Sequence, residues 1–206
     1  MNKLCYIIGA SPKQETYPPI FESNALVIAA DGGLTYLEEI GVKADVAIGD
    51  FDSLGYIPDS CEVISYPAEK DDTDMMLAIR YAISKGYSDF RIYRGLGSRL
   101  DHTIANIEAL NYLAKNNCRG YLYDNKTTLT VIHSNSIEFD ESKQGVISIF
   151  ALDEKVYGVD IIGLKYILEN SELSNSFPLG ISNEFIGQKS SVSAKSGSLL
   201  IITIEE

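Results

Sequence analysis

The sequence predicts an α/β chain in two parts: a three-layer, mostly parallel sheet domain over residues 1–126, then an all-β sandwich domain over 127–206. Two observations carry that division. Up to Asp124, short apolar runs alternate with segments of helical periodicity, the pattern of a parallel sheet covered by helices on both faces. Beyond Lys126 the runs stay short, turn-formers separate them and helical periodicity is largely absent, the pattern of an antiparallel sandwich or small barrel. A third sets the scale: 206 residues suffice for one large domain or two small ones with real cores. The first part is read as Rossmann-like.

Leu4-Cys5-Tyr6-Ile7-Ile8 reads as a first buried strand, closed by Gly9 and a Ser11-Pro12 turn. Leu26 to Ala30 is a second, followed by Asp31-Gly32-Gly33 and a short helix from about Leu34 to Ile40, which Gly41 ends. Val46-Ala47-Ile48 is a third strand, and Glu62 to Ser65 a fourth. Asp72-Thr73-Asp74 opens a helix whose Met75, Ile79, Ala82 and Ile83 recur at helical spacing before Gly86, with Asp72 available as its cap. Phe90 to Tyr93 is the next strand, Gly95-Leu96-Gly97-Ser98 a turn, and Leu100 to Asn116 a helix. Gly120 to Tyr123 completes the first part. In the second, strands are predicted at Leu129–Ile132, Ser136–Phe139, Val146–Ala151, Val156–Ile161, Val192–Ala194 and Leu199–Ile204.

Composition narrows the function classes. A net charge of -12 lacks the basic face that nucleic acid requires, and suits a protein that handles cations. The three cysteines, Cys5, Cys61 and Cys118, form no CxxC or zinc spacing and read as reduced thiols. With no signal-like start and no apolar run near the roughly 20 residues of a membrane span, a cytoplasmic protein without membrane contact is expected.

The chemistry lies in the acidic clusters. The strand at Val46 stops at Gly49 and releases Asp50 and Asp52, which at i and i+2 point the same way in extended backbone. Paired carboxylates of that kind suit a hard ion such as Mg²⁺, although an isolated Asp-x-Asp is also an ordinary solvated turn. Lys70-Asp71-Asp72-Thr73-Asp74 and Arg99-Leu100-Asp101-His102 are further clusters at helix starts, where capping is the bland account. In a parallel sheet, however, the ends of strands and the starts of helices share one edge. Asp31, Asp50, Asp52, Asp72, Asp74 and Asp101 would converge there, with Lys70 and Arg99 as nearby cations. Gly32-Gly33 and Gly95-Leu96-Gly97 would let backbone approach phosphate oxygens.

In this order and spacing, Asp31-Gly32-Gly33, Gly49-Asp50-Phe51-Asp52-Ser53, Asp71-Asp72-Thr73-Asp74 and Arg99-Leu100-Asp101-His102 resemble the thiamin pyrophosphokinases of bacterial type. Gly163-Leu164-Lys165-Tyr166 and Gly180-Ile181-Ser182-Asn183-Glu184 resemble that family's C-terminal signatures, with Ser98 standing where a further glycine is common. The resemblance implies an N-terminal domain for ATP and Mg²⁺, a C-terminal sandwich, and a homodimer with thiamin between subunits. It implies Asp50, Asp52 and Asp74 as metal ligands, joined by Asp101 in catalysis. Asp31, Gly32, Lys70, Thr73, Arg99, Asp101 and His102 would serve the nucleotide. Asp72, Tyr166, Ser182 and Asn183 would serve thiamin, Tyr166 by stacking where animal members carry tryptophan. The reaction implied moves a diphosphate from ATP to the thiamin hydroxyl. The rivals are a glycosyl- or nucleotidyl-transferase built on Asp-x-Asp, which leaves the C-terminal motifs idle, and a non-catalytic metal-dependent binding module. His133 lies outside every motif and reads as structural.

Overall fold

The computed structural model describes residues 2–11, 19–50, 61–66, 71–97 and 99–205. They divide into two compact units, Met1–Ala109 with Asn117–Asn125, and Leu110–Asn116 with Lys126–Glu206. The first unit runs β1 (Lys3–Ile8), β2 (Leu26–Ala30), α1 (Gly33–Glu39), β3 (Val46–Gly49), β4 (Glu62–Ser65), α2 (Asp74–Ser84), β5 (Tyr87–Tyr93), the greater part of α3 (Leu100–Lys115), whose residues from Leu110 onward fall in the second unit, and β6 (Arg119–Asp124). Its strands lie in the order β6-β5-β1-β2-β3-β4, and every pairing is parallel.

Near-continuous apolar runs follow from burial on both faces. Tyr6, Ile8, Val27, Ala29 and Ala47 pack with Leu34, Tyr36 and Leu37 of α1 on one side. The alternate residues Cys5, Ile7, Ile28, Val46 and Ile48 point the other way and are equally buried. Helix α2, which buries Met75, Ala78, Ile79 and Ala82, lies against β1, β2, β3 and β5. Each such Leu or Ile contributes about 1.5–3 kcal/mol on burial. The mostly parallel layered sheet expected of the first part is therefore present.

One helix start differs from the expectation. Helix α2 is capped by Thr73, whose Oγ1 accepts from the Met76 amide at 3.2 Å, and not by Asp72. Asp72 instead takes the Arg80 guanidinium at 2.7 Å.

The second unit holds β7 (Thr127–His133), β8 (Ser136–Phe139), β9 (Val146–Ala151), β10 (Val156–Ile162), β11 (Leu168–Leu173), β12 (Gly180–Glu184), β13 (Ser190–Ser193) and β14 (Ser198–Ile204). They form two antiparallel rows, β12-β9-β14-β7 and β11-β10-β13-β8. Ile147, Ile149 and Leu199 of the first row share one core with Val156, Val159, Ile161 and Val192 of the second. That is sandwich packing. The sequence pattern misses β11 and β12 because neither Leu168–Leu173 nor Gly180–Glu184 carries an apolar alternation; both end their rows, with one strand neighbour each. No helix among the described residues is long and apolar enough to cross a membrane.

Candidate active site

Strand order reverses between β1 and β5, since β1 leads outward to β2 while β5 leads to β6 on the opposite side. Open parallel sheets form a crevice at the carboxyl ends of such strands. A cavity of about 460 Å³ lies there, lined by Gly9 to Ser11 after β1, Asp31 after β2, Asp50 after β3, Arg94 after β5 and the starts of α2 and α3.

Backbone bonds carry the strand registers into these loops. Gly9 N donates to Tyr93 O at 2.9 Å, Ser11 N to Arg94 O at 3.1 Å and Asp31 N to Ile48 O at 2.8 Å. Asp31 turns the chain from β2 toward α1 at φ 49°, a left-handed value that Asp tolerates better than most residues. Gly33 then admits the helix: a Cβ there would stand 2.0 Å from the Ile8 carbonyl oxygen, so only glycine fits. Buried Asn106 ties the glycine turn to α3 by donating from Nδ2 to Gly95 O at 2.6 Å.

The cavity gathers seven of the residues singled out in the sequence: Asp31, Asp50, Asp72, Thr73, Asp74, Arg99 and His102. Gly32 stands just outside it at the start of α1. Asp101 is also outside the lining; its carboxylate is paired with Arg99 at 2.5 Å, and both side chains are more than 60% exposed. The hydrogen bond from Arg99 holds the Asp101 carboxyl well below the usual carboxylate range. Asp52 and Lys70 lie outside the described residues, as does Ser98. Among the described residues no group of three or more His, Cys, Asp and Glu side chains is close enough to hold a metal ion. Four of the residues that line the cavity, Asp31, Asp50, Asp72 and Asp74, nonetheless carry carboxylate oxygens, the chemistry that a hard divalent cation takes. Sequence reasoning missed Gly9 to Ser11, Arg94 and Asn106. The first and second were within reach, since both directly follow a buried strand as Asp31 does. Asn106 was not, because its role is a contact made by folding.

Tyr166, Ser182 and Asn183 lie in the second unit. Tyr166 is 60% exposed. Its backbone is held by buried Asn183, whose Oδ1 accepts from Tyr166 N at 2.9 Å and whose Nδ2 donates to Tyr166 O at 2.7 Å. Lys165 is fastened to the same strand, through its amide to Glu184 O at 3.1 Å and its Nζ to Glu184 Oε1 at 2.6 Å. Ser182 is exposed at φ 55°, and its amide donates to Ser148 Oγ at 3.1 Å. Ile167, Phe177, Leu179, Ile181 and Ile186 leave further apolar side chains exposed along this stretch.

Two family descriptions match the chain: "Thiamin pyrophosphokinase, catalytic domain" over residues 17–122 and "Thiamin pyrophosphokinase, vitamin B1 binding domain" over 134–199. The chain is 31% identical over 189 residues to the thiamine pyrophosphokinase of Bacillus subtilis (strain 168), covering 88% of each protein. Its fold is similar to the crystal structure of thiamine pyrophosphokinase from Bacillus subtilis, with a TM-score of 0.86, 26% identity, and 99% of this chain and 100% of that one covered. The corresponding values for thiamin pyrophosphokinase from Geobacillus thermodenitrificans are 0.83, 29%, 98% and 98%.

Proposed function

The chain belongs to the thiamin pyrophosphokinase family, and on that premise we propose that it transfers the diphosphate of ATP to the hydroxyl of thiamin, giving thiamin diphosphate and AMP. The observation that carries the nucleotide half of this reading is the cavity at the β1/β5 switch point, where Asp31, Asp50, Asp72 and Asp74 stand with Arg94 and Arg99. A Rossmann-like use of the first unit follows from that position. A thiamin-binding domain makes up the second part of the chain. The rival transferase reading leaves that domain without a role and is not favoured.

Asp50 and Asp74, with Asp52, are the residues proposed to hold Mg²⁺, which would supply charge neutralisation of the triphosphate. Arg99 and His102 face the same cavity and would fix the phosphates, with Asp101 orienting Arg99. Diphosphoryl transfer depends on alignment and charge stabilisation more than on a strong base. The thiamin oxygen forms a bond to the β-phosphorus, the bond from that phosphorus to the bridging α–β oxygen breaks, and AMP leaves. The hydroxyl proton needs an acceptor; both candidate carboxylates are ion-paired, Asp72 with Arg80 and Asp101 with Arg99, and Asp72 is the better placed because it lines the cavity and Asp101 does not.

Tyr166 offers thiamin an aromatic face, an interaction with a cation worth about 0.5–2 kcal/mol. A homodimer is proposed on the exposed apolar residues from Tyr166 to Ile186, which a second copy would cover. A cytoplasmic location fits the three cysteines, all of which are free thiols. Nucleotide product analysis tests the reaction: AMP formed only when thiamin, ATP and Mg²⁺ are all present is the expected result. ADP in its place would mean ordinary phosphoryl transfer and overturn the assignment.

A further inference from the structure

Resting on the nucleotide reading above, we propose that Arg94 is a polyphosphate-binding residue, held ready at the β1/β5 end of the cavity for the anionic tail of a nucleoside triphosphate. The first observation is strain. Arg94 sits at φ 56°, in the left-handed region where a long side chain is an outlier. Backbone of that kind persists where the surroundings over-determine it, commonly at binding sites.

The second observation is what over-determines it. Arg94 O accepts from Ser11 N at 3.1 Å, while its own Nε donates back to Ser11 O at 2.8 Å. Nη2 donates to that same carbonyl oxygen. The guanidinium carbon also lies 4.6 Å from the ring centre of buried Tyr36. The side chain is thus fixed before any ligand arrives, which lowers the entropy lost on binding. A guanidinium has five N–H bonds, and two of them serve Ser11. The remaining ones have no partner among the described residues.

The third observation is charge. Arg80 is paired with Asp72 and Arg99 with Asp101, whereas Arg94 pairs with no carboxylate among the described residues. It lines the cavity together with four aspartates. A fixed cation left over beside several carboxylates matches a ligand that carries oxyanions of its own, and a guanidinium fork fits phosphate geometry.

The test compares the full-length protein with Arg94→Gly and Arg94→Lys. Glycine adopts the left-handed backbone without strain, so Arg94→Gly adds no backbone strain of its own, and its melting temperature reports what the side-chain contacts to Ser11 and Tyr36 contribute to folding. In Arg94→Gly we expect KM for ATP, and Kd for inorganic tripolyphosphate by calorimetry, to rise about tenfold or more, with KM for thiamin within about twofold. Arg94→Lys should fall between, keeping the charge and losing the fork. Unchanged ATP and tripolyphosphate affinity would overturn the proposal. So would equal rises for both substrates with a lowered melting temperature in both variants, the mark of a purely structural clamp. Wild-type protein that binds tripolyphosphate through Arg94 but forms no AMP would sink the pyrophosphokinase reading and leave this one standing.

Discussion

The carboxamide of Asn183 closes on the backbone of Tyr166 from both ends, accepting from its amide and donating to its carbonyl. The same Oδ1 also accepts from the Glu184 amide at 2.9 Å. Asn183 is 3% exposed and Tyr166 60%, so a buried side chain presents an open aromatic ring.

Asn183→Ala should therefore act on thiamin through Tyr166. Removing the carboxamide leaves backbone groups unpaired at a cost of about 1–3 kcal/mol, and KM for thiamin is expected to rise about tenfold. Tyr166→Ala should raise it by a similar amount. The double variant should be little worse than either single one, as coupled residues are not additive. Additive losses would instead make Asn183 a direct thiamin ligand.

Asp50→Asn and Asp74→Asn should each reduce turnover by orders of magnitude, as should Asp52→Asn, while circular dichroism stays that of the wild type. All three remove charge from the set proposed to hold the cation, and such electrostatic terms dominate phosphorus-centred transfer. Near-normal AMP formation in any of them would remove that residue from the set.

Thr73→Ala should lower stability by about 1 kcal/mol, the usual loss for a helix cap, with Thr73→Ser close to wild type. Thr73 also lines the cavity, so KM for ATP should rise in the alanine variant as well. Thermal melts alongside ATP titrations separate the two effects. A cap with no nucleotide role would move only the melt.

Alkaline pH should loosen the first unit through its tyrosines. Tyr93 stacks on Tyr123 at 5.0 Å and lies 6.4 Å from Tyr6. Burial pushes the Tyr93 hydroxyl from 10.0 up to about 12, with burial raising Tyr6 and Tyr123 as well. The fold thus favours the protonated phenol. Its contribution is complete below the unfolded value of 10.0 and is lost as pH rises through about 12. Urea midpoints measured across that window should fall, and Tyr93→Phe should fall less steeply. Identical slopes in the two proteins would refute the assignment to Tyr93.

Local chemistry made much of this protein legible from its residues alone. Apolar runs such as Leu4 to Ile8 and Val46 to Ile48 demand burial on both faces, and Gly41 and Gly86 end helices wherever those helices go. Because parallel strands share one carboxyl edge, the convergence of Asp31, Asp50, Asp72 and Asp74 followed from strand assignment without coordinates. What folding decided were the relations that sequence distance hides. Strands β11 and β12 carry no apolar alternation and are defined by pairing with β10 and β9, so nothing in their own pattern announces them. Thr73 rather than Asp72 caps α2, while the Asp72 carboxylate takes Arg80, eight residues further along the chain. Arg94 meets Ser11 across 83 positions of chain, and Asn183 meets Tyr166 across 17. Hydrogen bonds of that kind depend on a side chain brought within about 3 Å of a distant backbone group by the packing of whole sheets, and only the assembled tertiary structure sets that distance.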